Sequence, residues 1–275
     1  MLKFRFLGTG TSVGVPQIGC RCKVCTSADP RDRRRRCGAY LSDGKTGVLI
    51  DTPPELRLAC VEYGIDRVDA VVLTHAHMDH VAAFDDVRRF NTLNGTRVAC
   101  DPASPGANGR DFKIVGKPLK CHALAATRDQ MAQIFPYISA RPGQNGLYRP
   151  MIEFDDSERF TVGDLEFKRL AVEHGFPCCG YLVNGHLAYV SDCHDLPEPT
   201  LARIRGVDTL VLNCLREREH PTHLSLARAL AYVREIAPRR AYFIHMCHDF
   251  THVEWLEKLR STVVEPAYDG LELEC

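Results

Sequence analysis

Four metal-binding side chains, His75, His77, Asp79 and His80, stand within six residues, directly after the apolar run Val71-Val72-Leu73. Imidazole together with carboxylate suits zinc, manganese or iron. One small cation cannot readily take four ligands from so short a stretch, so the crowding reads as the start of two adjacent sites. Two metals side by side can make hydroxide from water at neutral pH and clamp both oxygens of a phosphoryl displacement.

Two sites need more ligands, and the ends of strands can present them on rigid backbone. His174 follows an expected strand at 165–172, Asp192 follows Tyr189-Val190-Ser191, and His245 closes Tyr242-Phe243-Ile244. A carboxylate between two histidine-rich sites is suited to bridge them. Asp192 is followed by Cys193, which competes for that role. Neighbouring side chains on an extended segment point to opposite faces, so Asp192 is expected in the site and Cys193 turned away.

A separate cluster, Cys20, Cys22 and Cys25, lies in a loop beyond the glycine turn Gly8-Thr9-Gly10. A tetrahedral zinc would need a fourth ligand. His248, three residues past His245, offers one; Cys37 is the alternative, as is a thiol cluster without metal. The chain has 13 cysteines, an odd number, and its first residues alternate apolar and basic instead of forming a signal peptide. Reduced thiols and a cytoplasmic location are therefore expected.

The elements that must position these residues follow from periodicity and turn signals. Strands are expected at 2–7, 47–51, 68–73, 96–100, 151–154, 165–172, 180–184, 187–191, 209–215, 240–244 and 271–274. Helices are expected at about 54–63, 81–91, 125–135, 196–204, 225–235 and 253–260, with Asn184-Gly185 as a hairpin turn. Proline and glycine mark irregular insertions at about 101–119 and 137–150, and a Cys-rich loop spans about 20–37. No linker divides the 275 residues, so one α/β domain is expected, with a two-layer sheet core and outer helices.

Lysine plus arginine equals aspartate plus glutamate, 35 each, so the net charge is zero. That balance argues against a nucleic-acid or membrane partner, and the apolar stretches are too short to span a bilayer. The oligomeric state is not fixed by the residues, and a homodimer stays open. Arg31 and Arg33-Arg34-Arg35-Arg36 form a basic run, read as a solvated loop or a phosphate contact. Tyr137, Arg141, Tyr148 and Arg149 could form a lid over substrate. Asp51 reads either as an acceptor that sets the tautomer of a ligand histidine or as a plain strand-end carboxylate.

The His-x-His-x-Asp-His motif followed by a His, an Asp and a final His resembles the metallo-β-lactamase superfamily, over nearly the whole chain from Gly8-Thr9-Gly10-Thr11 to Ala267-Tyr268-Asp269-Gly270. The resemblance implies an αββα sandwich. It implies that His75, His77 and His174 hold one metal, that Asp79, His80 and His245 hold a second, and that Asp192 bridges them. The Cys-x-Cys-x-x-Cys loop with His245-Met246-Cys247-His248 resembles the PhnP phosphodiesterases, which implies a structural zinc on Cys20, Cys22, Cys25 and His248 beside two catalytic zinc or manganese ions. In that group a histidine before a helix acts as general acid. His223 fits, with His220 as the fallback, and Asp79 joins His223 among the catalytic residues. The implied activity is hydrolysis of a small, cyclic ribose-type phosphodiester. The alternatives are a tRNase Z-like RNA-processing endonuclease and a PqqB-like cofactor-biosynthesis protein without phosphodiesterase activity.

Overall fold

The structure, a computed structural model, describes residues 1–101, 103, 111–138 and 149–275. Strand Lys3–Gly8 (β1) alternates as expected, with Phe4 and Phe6 buried between the more exposed Lys3 and Arg5. Gly38–Ser42 (β2), Gly47–Ile50 (β3), Ala70–Val72 (β4), Thr96–Ala99 (β5), Phe112–Val115 (β6), Leu119–His122 (β7) and Ile152–Asp155 (β8) follow. The second half contributes Arg159–Val162 (β9), Leu165–Ala171 (β10), Cys179–Val183 (β11), Leu187–Val190 (β12), Thr209–Asn213 (β13), Arg240–Ile244 (β14), Val264–Pro266 (β15) and Glu272–Glu274 (β16).

Among the described residues these strands make two seven-stranded sheets, ordered β16-β1-β2-β3-β4-β7-β8 and β15-β14-β13-β12-β11-β10-β9, with β5 and β6 as a separate hairpin. The sheets pack face to face through Phe4, Phe6, Leu41 and Val72 on one side and Phe167, Tyr181, Tyr189 and Ile244 on the other. Helices Leu56–Glu62 (α1), Met78–Val81 (α2), Arg88–Leu93 (α3) and Ala125–Ile134 (α4) belong to the first half. They cover the outer face of the first sheet, where Leu56, Val81, Phe90 and Met131 meet Leu49 and Val71. Glu198–Ile204 (α5), Leu226–Ile236 (α6) and His252–Leu259 (α7) cover the second sheet with Leu201, Val233 and Trp255 against Leu210 and Phe243. The architecture is the αββα sandwich.

Local chemistry sets the helix ends. Apolar residues at 226, 229, 230, 233 and 236 give α6 one buried stripe, and it stops where Ala237 turns left-handed at φ 51° before Pro238. Thr251 and Glu254 form a capping box that starts α7. Asn184 and Gly185, both at positive φ, make the expected tight hairpin turn.

Several expectations are corrected. The helix expected over 81–91 is broken into α2, a 3₁₀ turn at Phe84–Val87 and α3. The stretch 101–119 is not wholly irregular, because β6 lies in it and β7 begins at its end; Pro102, Pro105, Gly106 and Gly109 lie outside the described residues. β2, β9 and β15 stand where no strand was expected. Among the described residues no helix is long and apolar enough to cross a membrane.

Pairing direction decides where the strands end. β3 and β4 run parallel, as do β12, β13 and β14, and β10 joins them through antiparallel β11. Their C-terminal ends therefore gather at one edge of the sandwich.

One buried histidine outside the ligand sets, His122 at the end of β7, makes a pH-dependent contribution. His122 is fully buried and stacks face to face on Phe160 at 3.7 Å, facing Asp155, Lys120 and Arg169. Burial pulls it down to about 4 against the opposing pull of Asp155. Between pH 6.5, near the unfolded value, and 4 the unfolded chain takes a proton that the fold refuses, so this part of the stability is lost as pH falls through that window. His122→Phe keeps a stacked ring without the proton site. Its urea midpoint should fall less than the wild type's between pH 7 and pH 5; an equal fall would remove His122 from the account.

Candidate active site

At the shared edge, backbone geometry turns two strand ends inward. Asp51, just past β3, has φ 61°, and His245, just past β14, has φ 58°; both are left-handed without being glycine. Asp51 is fully buried. Its Oδ1 accepts the Thr74 N–H at 2.8 Å, and its Oδ2 accepts the Thr74 hydroxyl and lies 2.8 Å from His80 Nδ1. Of its two readings, the tautomer-setting one is the one the geometry fits.

Three histidines are oriented in the same way. His80 Nδ1 faces Asp51, His75 Nδ1 lies 3.0 Å from the Thr74 hydroxyl, and His174 Nδ1 lies 2.9 Å from the Thr222 carbonyl oxygen. A ring that donates from Nδ1 directs its Nε2 lone pair the other way. Those Nε2 atoms converge. His75 Nε2 is 3.0 Å from His77 Nδ1, and His174 Nε2 is 3.4 Å from the same atom. His80 Nε2 lies 3.1 Å from Asp192 Oδ2 and 3.3 Å from Asp79 Oδ2; His245 Nε2 lies 3.2 Å from Asp192 Oδ1 and 3.7 Å from Asp79 Oδ2.

The donor atoms fall into overlapping groups, each within 4.8 Å: His75, His77 and His174; His75, His80 and Asp192; Asp79, His80 and His245. All seven expected ligands are thus brought together, and Asp192 sits between the two histidine sets. The donor chemistry fits cations. His80 Nε2, Asp192 Oδ2 and both nitrogens of His245 are buried without a hydrogen-bond partner. Such atoms are costly in a protein interior unless something satisfies them. Burial, reinforced by His80, also holds His75 well below the ordinary imidazole range, in the neutral form that binds metal. Burial pushes the Asp79 carboxyl up, but His245 and His80 beside it override this and keep it ionised.

Cys193 is turned away, as expected. Its thiol is fully buried 3.1 Å from Asn213 Oδ1, on the helix side of the second sheet. Of the two competing histidines, His223 reaches the site. Its Nδ1 is 3.5 Å from Asp192 Oδ1, and its ring stacks on His245 with 4.6 Å between centroids. Burial, then His245, pulls it to about 3, so the ring is neutral at rest. His220 stands one ring further out, its Nδ1 taken up with Thr222. Phe176, which sequence reasoning missed, stacks on the half-buried His77 with 4.4 Å between centroids. An aromatic two residues past a ligand gives no distinctive signal in a single sequence. Thr74, also missed, could be suspected only from a hydroxyl placed directly before the first histidine.

The thiol cluster closes on His248 and not on Cys37. His248 Nδ1 is 3.3, 3.5 and 3.2 Å from the sulfurs of Cys20, Cys22 and Cys25. Zinc bonds of about 2.3 Å to sulfur and 2.0 Å to nitrogen at tetrahedral angles put S and N about 3.5 Å apart. Cys37 lies in the core with its thiol on the Gly10 carbonyl. The Cys25 N–H draws the Cys22 thiol down to about 6, toward the thiolate that binds metal.

Most of the basic run is engaged within the protein, while Arg33 is exposed. Arg31 pairs with Asp29, Arg35 with Glu62 and Arg36 with Glu55, and Arg34 is buried. Of the lid candidates, Tyr137 donates to Asp85 Oδ1 and Arg149 donates to the Tyr137 and Ile138 carbonyls; Arg141 and Tyr148 lie outside the described residues.

Residues 46–246 match the family model for the beta-lactamase superfamily domain. A solved structure of a diphosphatase from the PhnP family is 32% identical, with a TM-score of 0.83, covering 100% of this chain and 98% of that one. The chain belongs to the metallo-β-lactamase superfamily, in its PhnP branch. An octanoyltransferase of Porphyromonas gingivalis is 33% identical over 273 residues, 97% of this chain, which spans about half (50%) of that protein's length. A coenzyme PQQ synthesis protein B of Methylobacterium radiotolerans is 29% identical over 229 residues, 75% of this chain and 71% of that one. The matched region spans 46–246, so the thiols at 20–25 precede it and His248 follows it.

This cluster generates a direct test. Cys22→Ser should remove about one equivalent of zinc per chain and lower the thermal midpoint, since a structural zinc contributes folding energy. Cys37→Ser should keep the full zinc content. The assignment fails if Cys22→Ser retains its zinc.

Proposed function

We propose that this chain is a metal-dependent hydrolase of a small phosphodiester, with a cyclic ribose-type phosphate as the leading substrate. One observation carries the reading: seven imidazole and carboxylate donors from both sheets converge within overlapping groups at the common edge of the strands. In this reading His75, His77 and His174 hold one divalent ion, Asp79, His80 and His245 hold the other, and Asp192 faces both. Zinc or manganese in these positions would supply acidified water and positive charge beside the phosphoryl oxygens.

The remaining chemistry falls to the chain's own side chains. Asp51, Thr74 and the Thr222 carbonyl hold three rings in their ligand tautomers. Phe176 walls one side of His77. His223, beside Asp192 and His245, is placed to serve the leaving group. A ring neutral at rest must take up a proton before it can hand one to an alkoxide.

A diphosphate bond is the second reading, favoured by the 32% identical diphosphatase, since both substrates present a phosphoryl centre with an oxygen leaving group. Precursor tRNA is not favoured, because the net charge is zero and three arginines of the basic run are spent on internal ion pairs. A PqqB-like role without hydrolysis would leave this ligand set without a reaction to perform. Comparing a cyclic ribose phosphate, a nucleoside diphosphate sugar and precursor tRNA as substrates separates these readings.

Protein purified without chelator should approach about three metals per chain, two in the histidine cluster and one in the thiol cluster. A well-folded, active sample holding a single metal would overturn the dinuclear reading.

His223→Ala should slow an alkyl or ribose phosphodiester far more than bis-p-nitrophenyl phosphate, because p-nitrophenolate departs without a proton. The expected difference is about 10²- to 10⁴-fold, with metal content unchanged. Equal losses on both substrates, accompanied by metal loss, would make His223 a ligand.

A further inference from the structure

We propose that Thr9 is a positioning residue for His245, and so for the second metal of the dinuclear reading, on which this inference rests. Thr9 is fully buried and belongs to neither ligand set. Its hydroxyl stands between two charged groups: it donates to Asp269 Oδ1 at 2.8 Å and accepts from Arg34 Nη1 at 3.2 Å. Asp269 Oδ2 accepts the Arg35 N–H at 2.7 Å, and Arg34 Nη1 also donates to the Ala267 carbonyl at 2.6 Å. One hydroxyl thus links the end of β1, the arm at 34–35 and the segment after β15.

That link reaches the site through the backbone. The Thr9 carbonyl accepts the Met246 N–H at 3.1 Å, and the Met246 carbonyl accepts the Thr11 N–H at 3.3 Å. Met246 directly follows His245, whose left-handed backbone must be held in place for its Nε2 to face Asp79 and Asp192. The neighbouring glycines permit the contact. A Cβ on Gly8 would come 1.9 Å from the Arg36 carbonyl oxygen, and one on Gly10 would come 2.8 Å from Arg34 Cβ. The 9–11 segment is therefore pressed against the arginine arm on one side and bonded to Met246 on the other. Without the hydroxyl, Arg34 and Asp269 each lose a buried partner, and a segment with unpaired buried groups shifts to find new ones. His75, His77 and His174 come from other segments and should not feel the shift.

The test is chelator competition on wild type, Thr9→Val, Thr9→Ser and His245→Ala, with zinc as the probe. The step missing from His245→Ala identifies the second metal. Thr9→Val should weaken that step by about 10- to 100-fold, the usual effect of removing an outer-shell partner, and leave the first metal unchanged. On a phosphodiester at saturating zinc its kcat should fall while KM holds, and Thr9→Ser should restore wild-type behaviour. Unchanged affinity for both metals, or equal weakening of both, would overturn the role of Thr9 even if the melting point dropped. A wild type lacking any step that His245→Ala removes would instead overturn the two-metal reading. Should Thr9→Val not fold, Asp269→Asn faces the same outcomes.

Discussion

A strand that ends at a cleft must turn its last side chain sideways, and here two residues do so against their backbone preference. Asp51 and His245 are both left-handed, which costs about 1–2 kcal/mol for a residue with a Cβ. At Asp51 the return is visible: one carboxylate is engaged by a backbone N–H, a hydroxyl and an imidazole. Hydrogen bonds to a charged group contribute about 1.5–3 kcal/mol each, so these contacts outweigh the strain. At His245 the return is the placement of the ring, whose Nε2 lies 3.2 Å from Asp192 Oδ1 and 3.7 Å from Asp79 Oδ2. The surrounding backbone holds that strain in place, as it does at strained functional positions generally.

The site is a property of the layered fold and of no single segment. His75, His77, Asp79 and His80 follow β4 of the first sheet, while His174, Asp192 and His245 follow β10, β12 and β14 of the second. The distance between the two ligand sets is fixed by how the sheets pack through Phe4, Phe6, Tyr181 and Tyr189. Close-packed interiors transmit even a methylene's change in volume, so a core substitution far from the cleft can alter the ligand distances.

Much of this was legible in the sequence because it is local. The spacing of His75 to His80 survives any error in element boundaries, and the apolar run before it is long enough to read as a strand. His174, Asp192 and His245 were visible as polar residues closing apolar strands. β2 was not, because Gly38-Ala39-Tyr40-Leu41-Ser42 is short and opens on a glycine, and it becomes a strand through pairing with β1 and β3. Nor could the sequence decide between His220 and His223, since the choice depends on the turn at 220–223 and on Asp192, thirty residues earlier. The pairings of Arg35 and Arg36 were hidden for the same reason: their partners Glu62 and Glu55 lie about twenty residues or more away.

The first sheet has a further consequence for how the chain is made. β1 is flanked by β2 on one side and by β16 on the other, so Lys3, Phe4 and Arg5 pair with residues synthesised at positions 272–274. Until those emerge from the ribosome, β1 presents an open edge to the cell, the kind of template on which unfinished chains stick together. Lys3 and Arg5 both pair with Glu272 in the finished protein. In the unfinished one they place two uncovered positive charges along the waiting edge, where they repel the same strand of a neighbouring nascent chain.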